Sequence, residues 1–78
     1  MVENDEYAAF VERVIRAYAR RVADGDIEAL TAMVNLTVTM DTALSTAVAG
    51  LRAYGYSWSE IGQRAGITRQ AAQQHWGN

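Results

Sequence analysis

The stretch from Ser57 to Trp76, SWSEIGQRAGITRQAAQQHW, constrains the fold more than any other part of the chain. Ser57 stands three residues before Glu60, so the serine hydroxyl can accept from the Glu60 backbone N–H while the glutamate carboxylate accepts from the Ser57 N–H, a reciprocal start for a helix. Gly66 follows Arg64 and Ala65, where a residue without Cβ takes the left-handed conformation at least cost and ends that helix. Thr68 is placed to cap a second helix. Ile61, Ala65, Ile67 and Ala72 are apolar at spacings that turn two crossed helices toward one small core, and Gly62 removes bulk where the helices approach. Arg69, Gln70, Gln73 and Gln74 fall on the opposite side. Two short helices around so tight a turn, with a third helix beneath them, make a helix-turn-helix.

The preceding residues read as helix throughout. From about Asn4 to Ala23, Tyr7, Phe10, Val11, Val14, Ile15, Tyr18, Ala19 and Val22 recur every three or four residues, the period of an amphipathic helix. Asn4 or Asp5 can cap it, and acids in its first turn with Arg20 and Arg21 in its last suit the helix dipole. Its apolar arc covers about half the circumference, more than the roughly 100° that one packing contact needs, so two neighbours are implied. Gly25 can end this helix and Asp26 can cap the next; so short a loop favours an antiparallel hairpin.

A second pattern runs from Ile27 to about Tyr54 through Leu30, Met33, Val34, Val38, Leu44, Val48 and Leu51. As one helix it would be roughly 40 Å long, so its front half can pair with the first helix while its back half supplies the third helix of the motif. Leu44, Val48 and Leu51 are expected to pack on Ile61 and Ile67. The β-branched run around Leu36–Thr39 lowers helix propensity, and Asp41 could cap a restart. With no Gly or Pro there, the continuous helix is the reading adopted. Asp41, inside the apolar arc, is then either at a break, paired with Arg13 or Arg16, or at the solvated edge of a dimer. Gly55 is the expected stop, and Tyr56 can staple onto Ile61.

At 78 residues with half of them hydrophobic, the chain is one small domain (1–78). It divides into a helical hairpin (4–54), the expected dimerisation region, and the helix-turn-helix (55–77). A chain this short buries only roughly 60–65% of its unfolded surface, and its apolar richness suggests burial against a second subunit. The absence of cysteine excludes disulfides and thiolate metal sites. No apolar run approaches the ~20 residues that span a bilayer, and the MVENDEY start is acidic where a signal peptide is basic; a cytoplasmic protein with no membrane partner is expected. The net charge of -2 conceals an uneven distribution: from Leu51 onward Arg52, Arg64 and Arg69 face only Glu60. All seven cations are arginine, which suits bidentate contacts, although a GC-rich coding bias is the simpler account.

On these residues the chain resembles the helix-turn-helix of sigma-factor region 4 and of small bacterial and phage regulators. It is especially similar to short actinobacterial-type proteins ending in a motif like GYSWxEIGxxxGxxRQAAxQxWG, here Gly55 to Gly77. The resemblance covers the last 25 or so residues; the first two helices match only in being amphipathic. It implies that Thr68, Arg69, Gln70, Gln73 and Gln74 face the major groove of double-stranded DNA. The chemistry agrees, since Arg69 can donate two hydrogen bonds to guanine O6 and N7, and Gln70 or Gln73 can pair with adenine N6 and N7.

Ser57, Ser59 and Arg64 are placed for phosphate contacts, with Arg52 as a possible addition or a simple helix-end charge. Trp58 is expected on the long helix or along the DNA backbone. Trp76 is expected to cover the bottom of the core, with His75 on the core-facing side beside Ala71 and Ala72. No nucleophile–base pair, phosphate loop, carboxylate dyad or metal-ligand spacing can be assembled, so neither an enzyme nor a cofactor is expected. The expectation is an all-α protein of about four helices that binds DNA as a homodimer through its first two helices and regulates transcription. The alternative is a module that grips RNA polymerase or another regulator.

Overall fold

The computed structural model describes residues 2–77, with Val2 described by its backbone alone. Met1 and Asn78, the ends of the expected domain, lie outside the described residues. Four helices follow one another, α1 (Val2–Ala23), α2 (Ile27–Tyr54), α3 (Trp58–Ala65) and α4 (Arg69–Trp76), with no strand among the described residues. The protein is all-α, and no described helix is long and apolar enough to cross a membrane.

α1 begins earlier than its sequence suggests. Asn4 and Asp5 lie inside it rather than capping it, and Glu3 and Asp5 occupy the first turn, opposite in sign to Arg20 and Arg21 in the last. Both ends therefore match the helix dipole. The loop behaves as its residues require: Gly25 takes a positive φ of 116°, and Asp26 Oδ1 accepts from the Ala29 N–H at 3.2 Å, capping α2.

α2 runs unbroken for 28 residues, about 42 Å at 1.5 Å per residue. The β-branched run is accommodated because its propensity cost is a few tenths of a kcal/mol per residue. Thr37 Oγ1 also finds an acceptor one turn back, donating to the Val34 carbonyl at 2.7 Å. Asp41 is accordingly neither a cap nor at a break; it is exposed in mid-helix. Arg16 reaches Glu12 of its own helix at 3.9 Å, an exposed pair of little energetic weight.

The chain divides into two compact units, Met1–Val38 and Thr39–Asn78, the division falling within α2. In the first unit α1 and the front of α2 meet beside their loop. Tyr18, Ala19, Val22, Ala29 and Met33 are half-buried there, and the Tyr18 hydroxyl donates to the Ala29 carbonyl at 3.4 Å. Beyond that contact the two helices do not approach closely. The hairpin expected from the short loop is closed only at its base. No described side chain of this unit is buried, and Tyr7 and Phe10 remain 71% and 52% exposed. An apolar arc of half a circumference needs more neighbours than the front of α2 supplies within this unit.

The second unit carries the back of α2 with α3 and α4, and its core is Val48, Ile61 and Ala72. This corrects the expected packing. Of the four apolar positions assigned to the motif core, Ile61 and Ala72 are buried while Ala65 and Ile67 are exposed. Val48 is buried with Ile61 as expected, and Leu44 and Leu51 line with them a groove of about 600 Å³. Burial depends on what covers a residue as well as on its spacing.

Candidate nucleic-acid interface

Local hydrogen bonds position α3. The Glu60 N–H donates to Ser57 Oγ at 3.1 Å, and the Ser57 N–H donates to Glu60 Oε1 at 3.0 Å. The bond from the Ser57 backbone, reinforced by the Ser57 hydroxyl, holds the Glu60 carboxyl below its ordinary pKa, because both bonds favour the charged form. At the other end Gly66 adopts φ 77° and ψ 24°. Its N–H donates to the Gln63 carbonyl at 3.3 Å while the Ile67 N–H donates to the Gly62 carbonyl at 2.9 Å. These paired bonds satisfy carbonyls that a helix end otherwise leaves open and reverse the chain within a few residues.

α4 starts where Thr68, in extended conformation, accepts from the Ala71 N–H at 3.0 Å through Oγ1. Two features lock it onto α3. Ala72 is completely buried, and the Gly62 Cα lies so near the Ile67 and Thr68 carbonyls that an added methyl would stand 2.9 Å from each oxygen. With that side fixed, Thr68, Arg69, Gln70, Gln73 and Gln74 are all exposed. Arg69 makes no ion pair among the described residues. The flank therefore offers a full guanidinium charge and three side-chain amides, each amide both donor and acceptor.

Around α3 the assigned residues divide. Ser57 is half-buried, with its N–H and hydroxyl engaged by Glu60, which leaves Ser59 as the exposed hydroxyl of that turn; Arg64 is also exposed. Arg52 is tied up within the fold in a way the sequence reading missed. Its guanidinium lies 4.8 Å from the centre of the Trp58 ring, and Nη1 donates to the Tyr56 carbonyl at 3.0 Å. It thereby clamps the end of α2 to the start of α3 and accounts for the half-buried Trp58. The six-residue separation of an arginine and a tryptophan across Gly55 is the only trace of this in the sequence.

His75 departs from its expected place. It is exposed rather than core-facing and meets the Trp76 ring edge-on at 5.0 Å. Trp76 is half-buried and lines the groove beside Leu44 and Ile61. Ile67, expected under α2, borders a separate shallow hollow with Ala71 and His75. No group of three His, Cys, Asp or Glu that could hold a metal occurs among the described residues.

No family model, curated protein or solved structure matches this chain. α4 has eight residues and is about 12 Å long; an α-helix, by its diameter of roughly 10–12 Å, can enter the major groove of B-DNA. It presents side chains able to pair with base edges and is anchored rigidly from behind. The residues available for a phosphate backbone are Ser59 and Arg64, with Arg52 and Ser57 already partly committed.

Proposed function

We propose that this protein binds double-stranded DNA in a sequence-specific manner, with α4 as the recognition helix in the major groove, and acts as a transcriptional regulator. The observation that carries the reading is the contrast across α4. Ala72 has no exposed surface, while Arg69, Gln70 and Gln73 project from the other flank with no acidic partner for the arginine. Arg69 is assigned to a guanine and Gln70 or Gln73 to an adenine, each good bidentate pair contributing roughly 1–3 kcal/mol of discrimination. Ser59 and Arg64 fix register on the phosphates.

One such module makes few phosphate contacts, so the working form is a homodimer joined through the first two helices and bound to a pseudo-palindromic site. The uncovered apolar surface of the first unit supports this. On this reading the protein is a non-enzymatic, cofactor-free regulator in the cytoplasm. Selection of bound sequences from a random duplex pool tests it directly: the expected product is a two-fold site, and recovery of no preferred sequence would overturn it.

The second reading, a module that docks on RNA polymerase or another regulator, draws on the exposed apolar residues and on an acidic front with eight acids before Leu51. Salt distinguishes the two. DNA affinity that falls linearly in log salt favours the regulator, and no duplex binding at low salt favours the protein partner.

A further inference from the structure

The turn between α2 and α3 holds a hollow of about 220 Å³ lined by Tyr54, Gly55, Tyr56 and Glu60. All four residues lie inside the second unit, close together in the chain. We infer that this hollow binds a guanidinium group, the side-chain end of an arginine on a different protein. It uses none of the residues assigned to DNA, so its test is separate from that of the DNA reading.

Charge selects the ligand. The Tyr54 and Tyr56 rings are stacked, with centroids 6.1 Å apart and planes 16° from parallel, and aromatic faces attract cations through their negative quadrupole. Glu60 adds a full negative charge, which its bonds to Ser57 favour. No arginine lines the hollow; Arg52 is turned instead onto the Trp58 ring and the Tyr56 carbonyl. A phosphate would be repelled there. A metal ion is a poor occupant, because among the described residues no three His, Cys, Asp or Glu side chains come together and hard cations take six or more oxygen ligands.

A guanidinium suits the hollow better than an ammonium. Its plane can lie against a tyrosine face while its edge N–H groups reach a carboxylate. Glu60 has the capacity for this, since the Ser57 N–H is bonded to Oε1 and a carboxylate offers about four lone-pair sites.

The parts are fixed before any ligand arrives. Gly55 turns the chain at a φ of 118°, and the Gly55 and Tyr56 N–H groups both donate to the Leu51 carbonyl, at 3.2 and 3.1 Å. Arg52 holds the Tyr56 carbonyl, and the capping box holds the Glu60 carboxylate. Such preorganisation lowers the ordering cost of binding. The arginine comes from a different protein because those of this chain have other places. Arg13 lies over Phe10, Arg16 pairs with Glu12 and Arg52 sits on Trp58. Arg20 and Arg21 complement the end of α1, and the remaining two belong to the DNA surface on the reading above.

The test follows the backbone amide resonances of nitrogen-labelled protein while N-acetyl-arginine amide is added at constant ionic strength. N-acetyl-citrulline amide, its uncharged counterpart, is the control. Saturable shifts at Gly55, Tyr56 and Glu60 are expected with the arginine probe and not with citrulline. Glu60→Gln, which keeps an acceptor for the Ser57 N–H, is expected to abolish them. Tyr54→Leu is expected to weaken binding by about two- to fivefold, the share of one exposed cation–π contact. That variant leaves the capping box untouched, so a loss common to both is not the result of a broken cap. Equal shifts with the two probes, or a titration that Glu60→Gln leaves unchanged, overturn the inference. Shifts at the same amides on concentrating the protein alone would make the guanidinium that of a second copy and overturn its assignment to a different protein.

Discussion

Gly62 and Thr68 are in backbone contact: a methyl group on the Gly62 Cα would stand 2.9 Å from the Thr68 carbonyl oxygen and as close to that of Ile67. Neither oxygen can move easily, because both belong to the turn that joins α3 to α4. Gly62→Ala gains about 1 kcal/mol of helix propensity but forces α4 away from α3, an overpacking cost of roughly 1–3 kcal/mol, and Ala72 loses its complete burial. The expected outcome is a lower denaturant midpoint together with weaker DNA binding. Gly50→Ala is the control: it lies inside α2 with nothing within 4 Å of the added methyl, and it is expected to raise stability by about 0.5–1 kcal/mol.

Arg69→Ala is expected to cost roughly 1–3 kcal/mol at one base position and to relax specificity there, while folding is unchanged because the side chain is exposed. Arg64→Ala should instead weaken binding to all sequences alike and reduce the slope of log affinity against log salt by about 1. Binding titrations at several salt concentrations on the selected site and on single-base variants separate the two. Equal loss on every sequence for Arg69→Ala would remove α4 from the role of reader.

The cap of α3 carries a pH dependence with a definite sign. The folded pKa of Glu60 is lowered, chiefly by the bond from the Ser57 N–H. Its contribution to stability is therefore complete above the ordinary glutamate pKa and is lost as the pH falls through the lowered folded value. Glu60→Gln keeps an acceptor for the Ser57 N–H, so its unfolding midpoint should be less sensitive to acidification over that range than that of the parent. Ser57→Ala, which removes the other half of the box, is expected to cost about 0.5–2 kcal/mol at neutral pH. Thermal unfolding followed by circular dichroism across the acidic range tests both.

What was legible in the sequence was what a few adjacent residues determine among themselves. Ser57 with Glu60, Thr68 with Ala71, and Gly66 in the left-handed region are all set by bonds spanning three to five residues, so reading along the chain finds them. The start of α1 is not legible in the sequence, because MVENDEY offers several acceptors in succession, and position alone does not choose among Asn4, Asp5 and an earlier start. Periodicity assigns Ala65, Ile67 and His75 to the core side, and they lie exposed. Periodicity shows that residues share a face, whereas burial also requires an element opposite them. The Arg52–Trp58 contact crosses the Gly55 turn and depends on the angle between α2 and α3, which no local pattern encodes.

Phe10 separates the folding of one chain from its assembly. Within the single chain it is half exposed, and the Arg13 guanidinium lies 5.9 Å from its ring centre, an exposed contact of about 0.5–1 kcal/mol. If the first unit were solvated in the working protein, Phe10→Glu would disturb little beyond that contact, and the charge itself is tolerated on a wet helix face. At an interface between two copies it places a carboxylate among apolar side chains, where a charge is expelled unless it is paired. The dimer dissociation constant is expected to rise at least tenfold, about 1.4 kcal/mol, in sedimentation over a range of concentrations. DNA affinity should fall with it, while the base preference conferred by Arg69 persists in whatever binding remains. Unchanged sedimentation and DNA binding in this variant would place Phe10 outside any interface and remove the first unit from the dimer.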